Sequence, residues 1–308
     1  MNIGYARCCI SPTKEEFYLI GYRAENRMHP ASGIHDDIYM NALLFENNGK
    51  QVFVLSADVL EFEEDMVEDV KTLMADKYHI ERDAILLCAT HDHSSIVSYH
   101  KSWYTKKFDQ EYYDFFVNSM MQCYENCIDN KQEATAKYGK KIITGYFSNR
   151  VHEGELADNE VIVLKFFDKQ GRPFAGIVNW AVHSTVISPG NTYLSADFEG
   201  SVSNKLYDDF GFYPAMIVGA AGDCSNHFDR QGKGFEELER VSSGVAKEIA
   251  QIDVDKEVKL GDISYQTLFH TIHHHMEFVH AEIQDEIDKY EKKVRKRNRS
   301  NTNRIYST

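Results

Sequence analysis

The segment Ala84-Ile85-Leu86-Leu87-Cys88-Ala89-Thr90-His91-Asp92-His93-Ser94-Ser95 constrains this chain more than any other. Its apolar run is short and does not alternate with polar residues, the pattern of a strand covered on both faces in an α/β arrangement. Ala84 to Thr90 is therefore expected to be a centrally buried strand. The run stops abruptly at two histidines one residue apart. In a strand, residues i and i+2 face the same way, so His91 and His93 are expected to project together from its end. Two readings stay open: one surface and one hydrogen-bonded core histidine, or part of a metal site whose other ligands come from elsewhere in the chain.

The flanking segments supply the rest of such a fold. Residues 3 to 10 read as a first strand, followed by a long polar loop from Ile20 to Asp37 of the kind that often serves a site. Ile38 to Phe45 and Gln51 to Leu55 are strands joined by Asn48-Gly49, a strong hairpin signal. Met66, Val67, Val70, Leu73 and Met74 are spaced for an amphipathic helix. A second helix is expected from about Gln110 to Asn130, with Tyr112, Phe116, Met120, Cys123 and Cys127 on its core side. The six cysteines include no CxxC pair, so reduced and mostly buried thiols are expected.

Downstream, Ile142 to Phe147 reads as a strand, and Val161 to Phe167 with Phe174 to Val182 as a hairpin. Ser195 or Asp197 is expected to cap a helix reaching Phe210, before a small-residue strand from Ala215 to Ala221. Leu238, Val241, Val245 and Ile249 mark another helix. A strand from about Val258 to Met276 would carry His270, His273, His274 and His275, but alternation sends neighbours to opposite faces and argues against a shared ligand set. A last helix with Ile283, Ile287, Tyr290 and Val294 and a basic polar tail follow. The expected division is one α/β domain over residues 1–276 and a C-terminal helix and tail over 277–308.

Function classes narrow with charge. A formal charge of −14 opposes attraction to nucleic acid or to anionic membrane surfaces. No stretch approaches the roughly 20 apolar residues of a membrane span, and the amino terminus lacks a signal-peptide pattern, so a cytoplasmic protein is expected. A homo-oligomer is compatible with this reading. Three apolar strands end in polar chemistry: His91 and His93 after the first, His183 after Asn179-Trp180, and Asp223 and Ser225 after the small-residue strand. Ligands bind at such strand ends in open α/β sheets, and Arg150 offers a bidentate partner for a carboxylate.

These residues resemble a known family. His91-Asp92-His93-Ser94 is similar to the His-Thr-His-Ser box of the neutral/alkaline, non-lysosomal ceramidases. Gly33-Ile34-His35 resembles their Gly-Leu-His, and Asn149-Arg150 their Asn-Arg-Ser. Asn179-Trp180-Ala181-Val182-His183 resembles Asn-Trp-Phe-x-x-His, and Gly222-Asp223-Cys224-Ser225-Asn226 resembles Gly-Asp-Val-Ser-Pro-Asn, all in the family's order. The resemblance implies a mixed β-sheet core with antiparallel hairpins, flanked by amphipathic helices. It also implies a zinc amidohydrolase that cleaves the N-acyl bond of ceramide, using metal-activated water and a proton passed to the leaving amine. Carried across, it makes His91 and His183 ligands of Zn2+ and His93 the proton donor or orienter. Arg150 would hold the acyl carboxylate side, Ser225 would line the scissile amide, and His35 and Asn149 would belong to the substrate pocket.

The chain also departs from the pattern. The family completes its zinc site with a glutamate in Pro-Gly-Glu and a tyrosine further on, and no Pro-Gly-Glu occurs here. The expected account is a chain shorter than the family at its C-terminus; the others are substitution by Asp223 or a C-terminal histidine, and poor metal binding. Asp92 replaces the box threonine, Ser95-Ile96 a Gly-Pro, and the proline after Ser225 is missing, departures that bear on the substrate more than on where the site lies; the acidic charge and the lack of a signal-peptide pattern point to an N-acyl amide more water-soluble than membrane ceramide. Two rivals are an inactive binding protein with an incomplete ligand set and another metallohydrolase, an esterase or phosphoesterase, using the same histidines.

Overall fold

The structure, a computed structural model, describes residues 1–268. Met1–Gln266 form one unit built on two five-stranded mixed sheets. In the first, β1 (Asn2–Cys9) pairs antiparallel with β3 (Tyr39–Asn47), whose hairpin with β4 (Lys50–Ala57) turns at Asn48-Gly49 as expected. On the far side of β4, β5 (Ile85–Ala89) runs parallel to it, and β6 (Gln132–Glu133) closes the other edge against β1. The second sheet has the order β12 (Ala215–Val218), β10 (Pro173–Trp180), β9 (Glu160–Phe167), β7 (Thr135–Ile142) and β14 (Lys256–Val258), with β10 and β12 parallel. Two ribbons, β2 (Gly33–Ile34) with β11 (Tyr193–Leu194) and β8 (Ser148–Asn149) with β13 (Cys224–Ser225), complete the strands.

Strand alternation sorts the side chains into layers. On β3, Met40, Ala42 and Leu44 face a cluster that includes Val70 and Met74 of α1 (Glu64–Tyr78) and Phe116 and Met120 of α2 (Gln110–Asn130). Leu43, between them, faces the other way and meets Ile3, Phe166, Ala175 and Ala215 between the sheets. On β10, Val178 and Trp180 pack against α3 (Asp197–Phe210) and α4 (Gly234–Ala250) through Phe198, Val202, Val241 and Val245. The order of layers is helix, sheet, sheet, helix. The mixed α/β fold with flanking amphipathic helices is as the sequence implied. No helix among the described residues is long and apolar enough to cross a membrane.

Several expectations need correction. Among the described residues β5 is an edge strand, not a central one: there only β4 pairs with it, and Leu86 is 44% exposed. Its apolar character reflects its position beside β12 of the facing sheet, where the two edges meet. The strand expected at Ile142 to Phe147 lies earlier, over Thr135–Ile142, because Ile143 N–H turns to the carbonyl of Asn159 and leaves the ladder. The small-residue strand stops at Val218, before a tight turn at Ala221–Asp223. Neither Ser195 nor Asp197 caps α3: Ala196 holds the cap position, and Asp197 opens the helix from a positive φ of 41°, outside right-handed helical geometry. β14 ends at Val258. His270 to His275, the last helix, the basic tail and the division near residue 276 lie outside the described residues.

Gly4 shows how closely helix and sheet approach. A Cβ added there would fall 2.0 Å from the Cys127 carbonyl oxygen of α2. A strand glycine of this kind marks a close backbone approach. Gly4→Ala is expected to lower stability by roughly 1–3 kcal/mol through overpacking, read as a lower midpoint in urea unfolding.

Candidate metal centre

β4 runs parallel to β5 and β10 to β12, and the loops that leave the carboxyl ends of β5 and β10 come together. The chain leaves β5 at Ala89, but His91 and His93 do not project from a strand. His91 is left-handed, with φ of 60°. That kink is held by Thr90 N–H on the Ala57 carbonyl and Asp92 N–H on the Val59 carbonyl. The turn, rather than strand alternation, brings both rings round to His183. Ring centroids lie 4.8 Å apart for His91 and His93, 4.5 Å for His91 and His183, and 5.1 Å for His93 and His183. One nitrogen from each of the three lies within 4.8 Å of the other two.

The tautomers follow from the hydrogen bonds. His91 Nδ1 donates to the Leu60 carbonyl at 2.9 Å, and His183 Nδ1 donates to the Ala221 carbonyl at 3.2 Å. Each therefore presents a bare Nε2, the usual state of a metal-binding imidazole anchored through its other nitrogen. His93 Nε2 stands 3.2 Å from His183 Nε2, while its buried Nδ1 makes no well-formed hydrogen bond among the described residues, the Gly21 backbone being the polar group that approaches the ring. Burial, reinforced by the positive potential of His91, His183 and Arg150, pushes the His93 pKa down to about 3. Burial, with His91 and Arg150 adding, brings His183 to about 4. Both rings are neutral at pH 7, as ligands must be.

These residues fit a metal. The Nε2 atoms of His91 and His183 could hold a metal ion, with the His93 ring third in the group beside them. Among the described residues no carboxylate joins the group, and Asp223 is exposed and outside it.

The other expected residues flank this centre. Arg150 N–H bonds the Asp223 carbonyl at 2.7 Å and its Nε bonds the Gly222 carbonyl at 2.9 Å; it makes no ion pair among the described residues. Ser225 is buried on β13, where the neighbouring Cys224 carbonyl accepts from His183 N–H at 3.0 Å. Asn149 uses its side-chain oxygen on Val151 and His152 N–H, so it shapes the Arg150 loop. His35 is half-exposed, stacked on Phe235 at 3.6 Å and bonded to Asp36 at 2.6 Å, and is not in the histidine group.

Sequence reasoning missed what surrounds the histidines. Asp58, Asp92, Asp197 and Glu199 are all buried. Asp197 accepts from Val186 and Ile187 N–H, and Ser184 Oγ accepts from Phe198 N–H, so the start of α3 pins the loop after His183. Asp58 Oδ2 accepts from Tyr39 N–H at 2.9 Å. The Leu60 and Ala221 carbonyls have no side-chain signal at all.

Residues 1–211 match the family described as Neutral/alkaline non-lysosomal ceramidase, N-terminal. The chain belongs to that family. It is 26% identical over 229 residues to neutral ceramidase B of Dictyostelium discoideum, covering 66% of this chain and 31% of that protein. The structure is similar to that of a ceramidase complexed with C2, with a TM-score of 0.74 and 21% identity, covering 85% of this chain and 45% of the other. It is similar to the neutral ceramidase from Pseudomonas aeruginosa with a TM-score of 0.73 and 22% identity, over 85% and 46% of the two chains. The chain thus spans less than half the length of these ceramidases.

The buried acids set a pH dependence. Burial pushes the Asp58 carboxyl up to about 7, opposed by the Tyr39 N–H bond and Arg7. A folded-state pKa above the unfolded value means the folded chain binds more protons, so stability falls as pH rises from about 4 through about 7. Asp58→Asn is expected to leave the melting temperature near pH 4.5 unchanged and to raise it by several degrees at pH 8, measured by calorimetry across that range.

Proposed function

We propose that this ceramidase-family chain is a zinc-dependent amidohydrolase acting on a ceramide-like N-acyl amide. The observation that carries the reading is the convergence of His91, His93 and His183 with two of the three rings anchored through Nδ1. His91 and His183 would hold the metal through Nε2. A bound zinc would supply a water of lowered pKa and polarise the amide carbonyl.

The chain's own residues account for the remaining steps. His93, neutral and held less firmly at Nδ1 than the other two rings, is the ring suited to move a proton between the attacking water and the leaving amine. Arg150 lies near enough to the histidines for its charge to act on His93, and its guanidinium, with no ion pair among the described residues, is suited to the carboxylate formed from the acyl group. Ser225 orients the amide, with Asn149 shaping the loop that carries Arg150. His35 and Phe235 form a stacked aromatic surface suited to the apolar part of the substrate.

One observation favours a second reading, a binding protein without turnover: no carboxylate completes the group among the described residues, and no Pro-Gly-Glu is present. Reporters separate the two. Hydrolysis of a short-chain N-acyl reporter is expected, lost on chelation and restored by zinc, with ester and phosphate reporters turned over more slowly. His91→Ala and His183→Ala are expected to lose bound zinc and activity together. His93→Ala is expected to keep zinc and lose about 10²–10⁴ in kcat. Purified protein that takes up no zinc, with activity indifferent to His91→Ala, would sink the proposal.

A further inference from the structure

The loop expected to serve the site carries a buried arginine that the chemistry above does not use. Arg27 sits on the single helical turn Glu25–Met28 and is 1% exposed. Its Nη1 donates to the Asn191 carbonyl at 2.8 Å and its Nη2 to the His93 carbonyl at 3.1 Å. No carboxylate pairs with it among the described residues, and its Nε lacks a partner. Burying a guanidinium on such terms is unfavourable for stability, so its placement calls for another explanation.

The neighbours of Arg27 converge on one residue. Gly21, with φ of +107°, lies so close to His93 that a Cβ would fall 2.4 Å from the His93 Cα. The Tyr22 ring stands 4.9 Å from the His93 ring, and its hydroxyl donates to the Ile187 carbonyl at 2.8 Å. Asn26 Nδ2 donates to the Asn191 carbonyl at 2.9 Å, beside the Arg27 bond. One short segment thus grips the His93 turn and the loop after His183 from the same side. His91 and His183 do not need this grip, because each ring is anchored to a carbonyl. His93 Nδ1 has no well-formed bond of that kind among the described residues, only the approach of the Gly21 backbone, so its ring takes its direction from its own backbone and from Gly21 and Tyr22 on the Arg27 segment.

We infer that Arg27 is a positioning residue for His93, its planar fork tying the His93 carbonyl to the Asn191 carbonyl so that His93 Nε2 is aimed at the other two rings. The inference rests on the reading of His93 as the proton-transfer group. A lysine at this place has a point charge in place of a fork and reaches the two carbonyls less well.

The test uses the full chain as wild type, Arg27→Lys, Arg27→Gln, His93→Ala and the double variant Arg27→Gln/His93→Ala. Nitrogen-15 NMR of the histidine rings in zinc-free protein gives the first readout, and kcat and KM on the N-acyl reporter the second. Arg27→Gln is expected to move the His93 ring resonances and leave those of His91 in place. It is expected to lower kcat about ten- to a hundredfold with KM within about twofold, Arg27→Lys falling between, and the double variant is expected to be no slower than His93→Ala. Unmoved His93 resonances in folded Arg27→Gln, or kcat losses that multiply in the double variant, overturn the inference. If Arg27→Gln does not fold, Arg27→Lys decides on the same two readouts. If the wild type hydrolyses no amide, the amidase reading fails on its own and the ring resonances alone decide the role of Arg27.

Discussion

The site depends on the face-to-face packing of two mixed sheets whose parallel edges meet. Ile3, Leu43, Phe166, Ala175 and Ala215 fill the space between them, and the small side chains among these let the sheets approach. That packing sets β5 beside β12. The carboxyl ends of two parallel pairs then share one edge, and the histidines that follow β5 and β10 meet there although about ninety residues separate them in the chain. Loops alone would have to meet the entropic cost of holding three imidazoles together; here the sheets have already met it.

Low dielectric sets the protonation states that this arrangement needs. Burial keeps His93 and His183 neutral, so their nitrogens offer lone pairs, and it raises the pKa of Asp58, Asp92, Asp197 and Glu199 above the usual carboxylate range. The same desolvation that prepares the histidines destabilises the ionised acids packed beside them. The acids nevertheless organise the loops: Asp197 holds Val186 and Ile187, and Asp92 accepts from Ser94 N–H at 2.7 Å. Function and stability pull in opposite directions here, a common feature of sites that bury polar groups.

The three histidines are also held unequally. Two are fixed from behind by carbonyls, and the third by a clasp of Gly21, Tyr22 and Arg27 acting through its backbone. The three rings are thus held by different means, two through side-chain bonds to carbonyls and one chiefly through its backbone.

Local patterns determined much of this protein. The Asn48-Gly49 hairpin, the helix from Gln110 to Asn130, and the strand-end placement of His183 follow from turn chemistry and periodicity, which act over a few residues. Motif order pointed to the family. Tertiary structure decided the rest. Whether an apolar run such as Ala84 to Thr90 is central or at an edge depends on which sheet covers it, and no pattern within the run encodes that. The left-handed turn at His91, the carbonyls of Leu60 and Ala221, and the burial of Arg27 arise from backbone groups and partners distant in sequence. Backbone carbonyls carry no residue identity, so the atoms that orient these histidines could be found only in the folded chain.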